Sequence, residues 1–267
     1  VIPVLTRRAL AERARMLAGY MVGTVAMVAM MGAVWPTLEG NQDMQRVIEQ
    51  YPESLMALLG GGRSFDLGSA AGFLQIELMG LVCPLLFILF AVAFGSGTVA
   101  GDEEHGLLEL VQSAAVTRTT VYLHKAAALL AAVVAFAVAF VVSLAVTSAA
   151  SGMDLRAEGV VAAGLALALL GWVYGALALA LGAATGNRSL AISVTAVLAL
   201  AGYLVANLAE LVGWLEPFRP LSPVHQTVGR QPLATGAHAG STLVLLVVSA
   251  VVVAAGWWGY GRRDLGT

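Results

Sequence analysis

Residues 78–118 read LMGLVCPLLFILFAVAFGSGTVAGDEEHGLLELVQSAAVTR. The stretch from Leu78 to Gly101 carries no charge. At 1.5 Å per residue, a helix of that length crosses a hydrocarbon core of ~30 Å. The run then breaks at once into Asp102, Glu103, Glu104 and His105. An uninterrupted apolar run is the mark of a membrane helix; a membrane barrel would instead alternate apolar and polar residues in pieces of ~10.

Five further charge-free runs flank this one: Met16 to Leu38, Ala126 to Met153, Gly159 to Asn187, Ser189 to Ala209 and Ser241 to Gly261. The 267 residues are 59% hydrophobic and only 11% charged. A soluble domain carries about 25% charged residues, so lipid is the solvent that this chain is built for. The sequence predicts an all-α integral membrane protein, a single transmembrane domain over 1–267. Its six transmembrane helices are expected at about 16–36, 74–100, 126–150, 159–184, 190–211 and 241–261. An arginine-rich start followed by a run long enough to span, with no small-residue cleavage site after it, is not the pattern of a cleaved signal peptide. The net charge of −2 excludes a basic nucleic-acid binder. The single cysteine, Cys83, permits no intramolecular disulfide.

Lysine and arginine orient the spans. Six spans put both termini on one side. That side would hold nine cations, Arg7, Arg8, Arg13, Arg15, Arg118, Lys125, Arg188, Arg262 and Arg263, against five opposite, Arg46, Arg63, Arg156, Arg219 and Arg230. Both termini are therefore expected in the cytoplasm, and with them segment 101–125. Residues 37–73 and 213–240 become extracytoplasmic loops.

Outside the spans three patterns stand out. Residues 6–15 place Leu10 and Ala14 on one face amid arginines, as an interfacial elbow helix does, with Thr6 as its cap. In the first outer loop Met44, Val47, Ile48 and Tyr51 follow i, i+3, i+4, i+7, which predicts an amphipathic helix ended by Pro52. The second outer loop carries prolines 217, 220, 223 and 232, which disfavour a long helix and predict a structured cap. The pairs Gly19/Gly23, Gly171/Gly175 and Gly182/Gly186 each read as a G-x-x-x-G seam permitting close helix approach. Histidines 225 and 238 lack the companion ligands of a metal site.

Segment 101–125 is where chemistry concentrates. Asp102 can cap a helix, with Glu103 and Glu104 in its first turn, where the helix dipole favours anions. Leu107, Leu108, Leu110, Val111, Ala114 and Ala115 fall on one face. Thr117 can cap a second helix running through Lys125 into the third span. The product is a short amphipathic helix between spans two and three. Ionisable or amide groups within reach of the membrane are few: Glu77, Asn207 and Glu210 are the candidates to line a substrate path. No catalytic constellation and no metal site is apparent.

The motif EEHGLLELVQSAAVTRTTVYLHK resembles the cytoplasmic loop of the type-2 ABC transporter permeases, the membrane subunits of ATP-driven exporters. Glu104, Gly106, Leu108, Glu109, Val116, Arg118 and Lys125 match the family pattern. Leu107 stands where threonine is frequent, Ala115 where proline is usual and His124 where glycine is usual. The arginine-rich N-terminal stretch, the long first outer loop and PLSPVH at 220–225 extend the resemblance along the chain.

The resemblance implies a coupling helix seated in a groove of a separate cytosolic ABC ATPase. Glu103, Glu104, Gly106, Leu107, Leu108, Glu109, Val111, Arg118 and Lys125 would form the contact. It implies ATP and Mg on that partner, with no cofactor on this chain, which has no G-x-x-x-x-G-K-[ST] loop. It further implies a second permease copy, identical or paralogous, in a bacterial plasma membrane, and an amphipathic or hydrophobic cargo such as a drug, an antibiotic or a lipid. An ion-coupled secondary transporter and a non-transporting assembly factor are the alternative readings. An ion-coupled carrier would carry intramembrane acids or broken helices around a central site.

Overall fold

The computed structural model describes Thr6 and residues 9–38, 69–101, 117–209 and 211–262. Outside those residues lie Arg7, Arg8, the amphipathic pattern at 44–51, the amphipathic segment 102–116, Glu210 and Arg263.

Among the described residues the chain forms helices and turns and no strand. Helix α1 spans Ala14–Leu38. A run of two parts follows: α2 at Ala70–Leu74 opens directly into a π-helical turn at Gln75–Met79, and α3 occupies Val82–Thr98. Then come α4 at Arg118–Ser151, α5 at Ala157–Thr185 and α6 at Arg188–Leu208. The remainder is a 3-10 helix at Gly213–Leu221, α7 at Pro223–Thr227, a 3-10 turn at Val228–Arg230, α8 at Pro232–Thr235 and α9 at Ala239–Arg262.

Local chemistry sets most of these boundaries. Ser69, Thr117 and Asn187 each accept from a backbone N–H in the first turn of the helix that follows, satisfying donors a helix start leaves open. Gly152 and Gly186 end α4 and α5 at φ of +67° and +66°, a left-handed step that glycine takes without strain.

Five helices, α1, α4, α5, α6 and α9, are each long and apolar enough to cross a membrane; counting the bent run α2–α3 as one span makes six. That run was expected as one uninterrupted span over 74–100, and the structure corrects this: it bends by about 40°. Pro84 has no N–H to return to the carbonyl of Gly80, so the ladder opens there. Leu81 departs from helical geometry (φ −138°, ψ −51°), and the preceding turn widens to π. The signal was available as glycine and proline four residues apart, hidden by the unbroken apolar run.

Helix α5 is the centre. Of its most apolar stretch 72% is buried, against 44% for α4 and 22% for each of α1, α6 and α9. It packs chiefly on α3 and α9, and also on α4 and α6. Small residues make this possible. A Cβ on Gly95 of α3 would strike the carbonyl of Gly175 in α5, so the two backbones touch. Aromatic rings join α1, α3 and α4: Phe87 stacks on Phe136 at 4.0 Å, while Tyr20 lies 5.5 Å from Phe90 and 6.2 Å from Phe136. On the outside of α4, Leu130, Val134, Val138, Val142 and Val146 are all exposed, one turn apart. Such a stripe is untenable in water and at ease in hydrocarbon.

Residues 213–236 form a cap tied to four helical regions at the end of the bundle away from segment 102–116. Gln75 of the π turn donates to the Val228 carbonyl (3.1 Å), and Ser222 donates to the Gly202 carbonyl of α6 (2.7 Å). Ser241 of α9 lies 2.8 Å from Gln226, and Arg156, just before α5, donates to the Ala234 carbonyl.

Candidate coupling site

The descending run α2–α3 ends at Gly101 and the next helix begins at Arg118, so the two ends of segment 102–116 emerge from the same end of the bundle. Thr117 receives the Thr120 N–H at 3.3 Å, which starts α4 immediately after the segment. Arg118 and Lys125 both lie in the first two turns of this helix and are half-buried. Glu103, Glu104, Gly106, Leu107, Leu108, Glu109 and Val111 lie outside the described residues.

Three contacts hold this frame. On the incoming side, the guanidinium of Arg13 sits 5.2 Å above the ring of Phe94. A Cβ on Gly97 would come within 2.5–3.1 Å of the same guanidinium, so only glycine leaves the arginine its place. On the outgoing side, Thr6 Oγ1 lies 3.2 Å from His124 Nδ1. The last helix adds the third contact: Trp257 Nε1 donates to Thr119 Oγ1 at 3.0 Å. One turn beyond, Tyr122 and Tyr260, both buried, lie 6.2 Å apart, and the Tyr122 hydroxyl packs where a side chain on Gly256 would stand. Arg262 lies 3.8 Å above Trp258. The cation–aromatic pairs are worth roughly 0.5–1 kcal/mol each at exposed sites, so the frame rests on several modest ties.

The N-terminal segment thus touches both flanks of segment 102–116. Residues 9–12 are helical and Arg13 forms a turn before α1 begins. The Thr6 hydroxyl, expected as a helix cap, meets His124. His124 is a position where the sequence departs from the type-2 pattern, and it is the one that this hydroxyl meets. Sequence reasoning missed the roles of Arg13, Gly97, His124, Thr119 and Trp257, because partners 80 to 140 positions apart leave no local signature.

Of the candidate path residues, Glu77 lies on the π turn and is exposed, and Asn207 is half-buried near the end of α6. The Asn207 amide donates to the Tyr203 carbonyl of its own helix at 3.1 Å, which occupies one of its two donors. Both residues belong to the end of the bundle remote from segment 102–116. No group of three or more His, Cys, Asp or Glu is placed to hold a metal ion among the described residues.

The G-x-x-x-G pairs have three different fates. Gly171 and Gly175 receive α3 and α4; Gly182 packs near Ala100 while Gly186 is a helix cap; Gly19 and Gly23 face nothing within 4 Å.

A multi-span helical membrane protein with a braced inter-helical segment at one end is the class that these features define. A family model described as "Multidrug efflux system permease Rv1217c, C-terminal domain" matches residues 9–261, and the chain belongs to that family. No curated protein matches the chain. As a member of a permease family it is a multi-pass membrane protein and a transport subunit, and a permease of an efflux system works with other subunits.

Proposed function

We propose that this chain is the transmembrane subunit of an ATP-driven exporter in a bacterial plasma membrane, with six spans, both termini cytoplasmic and residues 6–15 forming an elbow on the inner leaflet. A separate ABC ATPase docks on segment 101–125 and carries the ATP and Mg. Glu103, Glu104 and Glu109 pair with basic residues of the ATPase groove. Leu107, Leu108 and Val111 supply the packed contact, Gly106 the close approach, and Arg118 and Lys125 flank it. A second permease copy, identical or paralogous, completes the path. Cargo is amphipathic or hydrophobic, in keeping with the multidrug description of the family. Glu77, Asn207 and Glu210 contribute polar groups near the outer mouth.

The observation that carries this reading is the brace around segment 102–116. Arg13 against the incoming helix, Thr6 against the outgoing helix and Trp257 from the last span tie its two roots to the N-terminal segment and to α9. On this reading a displacement of the two roots passes through these contacts to the spans.

The test is gentle affinity purification of the tagged chain from native membranes. A nucleotide-hydrolysing subunit is expected to accompany the native chain and to be lost from the double variant Glu104→Arg with Glu109→Arg. Recovery of the native chain without an ATPase, under conditions that preserve other membrane complexes, would overturn the reading.

A further inference from the structure

At the end of the bundle remote from segment 102–116, a recess lies between α4, α5 and the turn at 152–156. The two helices touch where a Cβ on Gly164 would strike the Val141 side chain, at one edge of it. The open recess measures about 400 Å³, within the ~300–1,000 Å³ common for ligand sites. Its walls include Val141, Ala145 and Ala149 from α4 and Val160 and Val161 from α5. The α4 residues recur one turn apart, so the recess is a trough parallel to the helices. From Val141 to Gly152 it runs roughly 16 Å at 1.5 Å per residue, about half of a ~30 Å hydrocarbon core.

At the mouth of the trough stands Asp154, an exposed residue with φ of +35°, a conformation that side-chain-bearing residues seldom adopt. Its neighbour Arg156 is committed elsewhere: it pairs with Glu158 at 3.2 Å and donates to the Ala234 carbonyl. Among the described residues no cation pairs with Asp154, and its carboxylate stands exposed beside the recess.

We propose that this recess seats one lipid of the leaflet remote from the coupling segment, its acyl chain in the trough and an ammonium-bearing headgroup on Asp154. The half-membrane length, the alignment with the helix axes and the opening toward the side suit an acyl chain better than a compact molecule. The Asp154 carboxylate selects against a lipid whose headgroup is anionic. Small side chains at positions 145 and 149, beside the exposed valines 142 and 146, make the room.

Native mass spectrometry of the detergent-purified full chain tests this, with phosphatidylethanolamine and phosphatidylglycerol of identical acyl chains supplied together. The native chain is expected to retain phosphatidylethanolamine in preference by roughly two- to five-fold, the range an interfacial ion pair supports. Asp154→Asn and Asp154→Gly both suit a left-handed backbone, and each is expected to bring that ratio to about one while the chain stays folded. Ala149→Phe, which fills the trough, is expected to reduce retention of both lipids. Equal retention by the native chain, an unchanged ratio in the Asp154 variants, or undiminished lipid on Ala149→Phe would each overturn the proposal. The readout needs neither nucleotide nor partner subunit, so its failure and that of the exporter reading are separable.

Discussion

Gly95 and Gly19 are the same residue type in two apolar helices, yet their surroundings differ completely. At Gly95 an added Cβ would strike the Gly175 carbonyl of the neighbouring span; at Gly19 it would meet nothing within 4 Å. Gly95→Val is therefore expected to cost about 1–3 kcal/mol through overpacking against a backbone that cannot give way. Gly19→Val is expected to stay within about 0.5 kcal/mol, as substitutions away from packed features do. Thermal unfolding of the two variants in detergent compares them directly, and equal losses would contradict the assignment of α5 as the packed centre. The sequence presents Gly19/Gly23 and Gly171/Gly175 as identical motifs. What separates them is which face of each helix meets protein, and that is decided by chain segments far away.

Among the elements, the positions of the long helices were legible because a single solvent acts along each of them. Hydrocarbon tolerates no charge for about 20 residues, and five runs other than 74–100 carry that signature intact. The bend at Gly80 was not legible by that route, since a kinked helix and a straight one are equally apolar. Thr117 is the contrasting case: a threonine before a helical run announces a cap, and the structure has it accepting the Thr120 N–H. Thr117→Ala is expected to cost ~1 kcal/mol at the start of α4. Amide hydrogen exchange should show protection in the first turn after residue 117 falling several-fold, with the middle of α4 unaffected. Unchanged exchange in that turn would mean that the cap contributes nothing to it.

At the scale of the whole molecule, the candidate site was half visible. The acidic amphipathic segment is a reading of periodicity that lies outside the described residues, whereas the frame at its roots is assembled from Thr6, Arg13, His124 and Trp257, which only the fold brings near. On the exporter reading this frame transmits motion, so loosening it should uncouple without undocking. Arg13→Ala combined with Trp257→Phe is expected to keep the ATPase bound. Cargo-stimulated hydrolysis should fall roughly two- to thirty-fold, matching coupling changes of 0.5–2 kcal/mol. Loss of ATPase binding in that variant would assign these residues to docking instead.

The central place of α5 also bears on how the protein is made. A helix of alanine and glycine, 72% buried along its most apolar stretch, is suited to neighbours of protein more than to lipid. Two of those neighbours, α6 and α9, follow α5 in the chain and reach the membrane only after it. Its immediate predecessor α4 is the most apolar of the five long helices and is joined to it by the short turn at 152–156. The two are thus suited to enter the membrane as a hairpin, with α4 supplying most of the drive and sheltering α5 until the last spans close around it. Polar substitutions on the exposed face of α4, harmless to the finished packing, should then appear as misinserted α5 in glycosylation-site mapping of nascent chains.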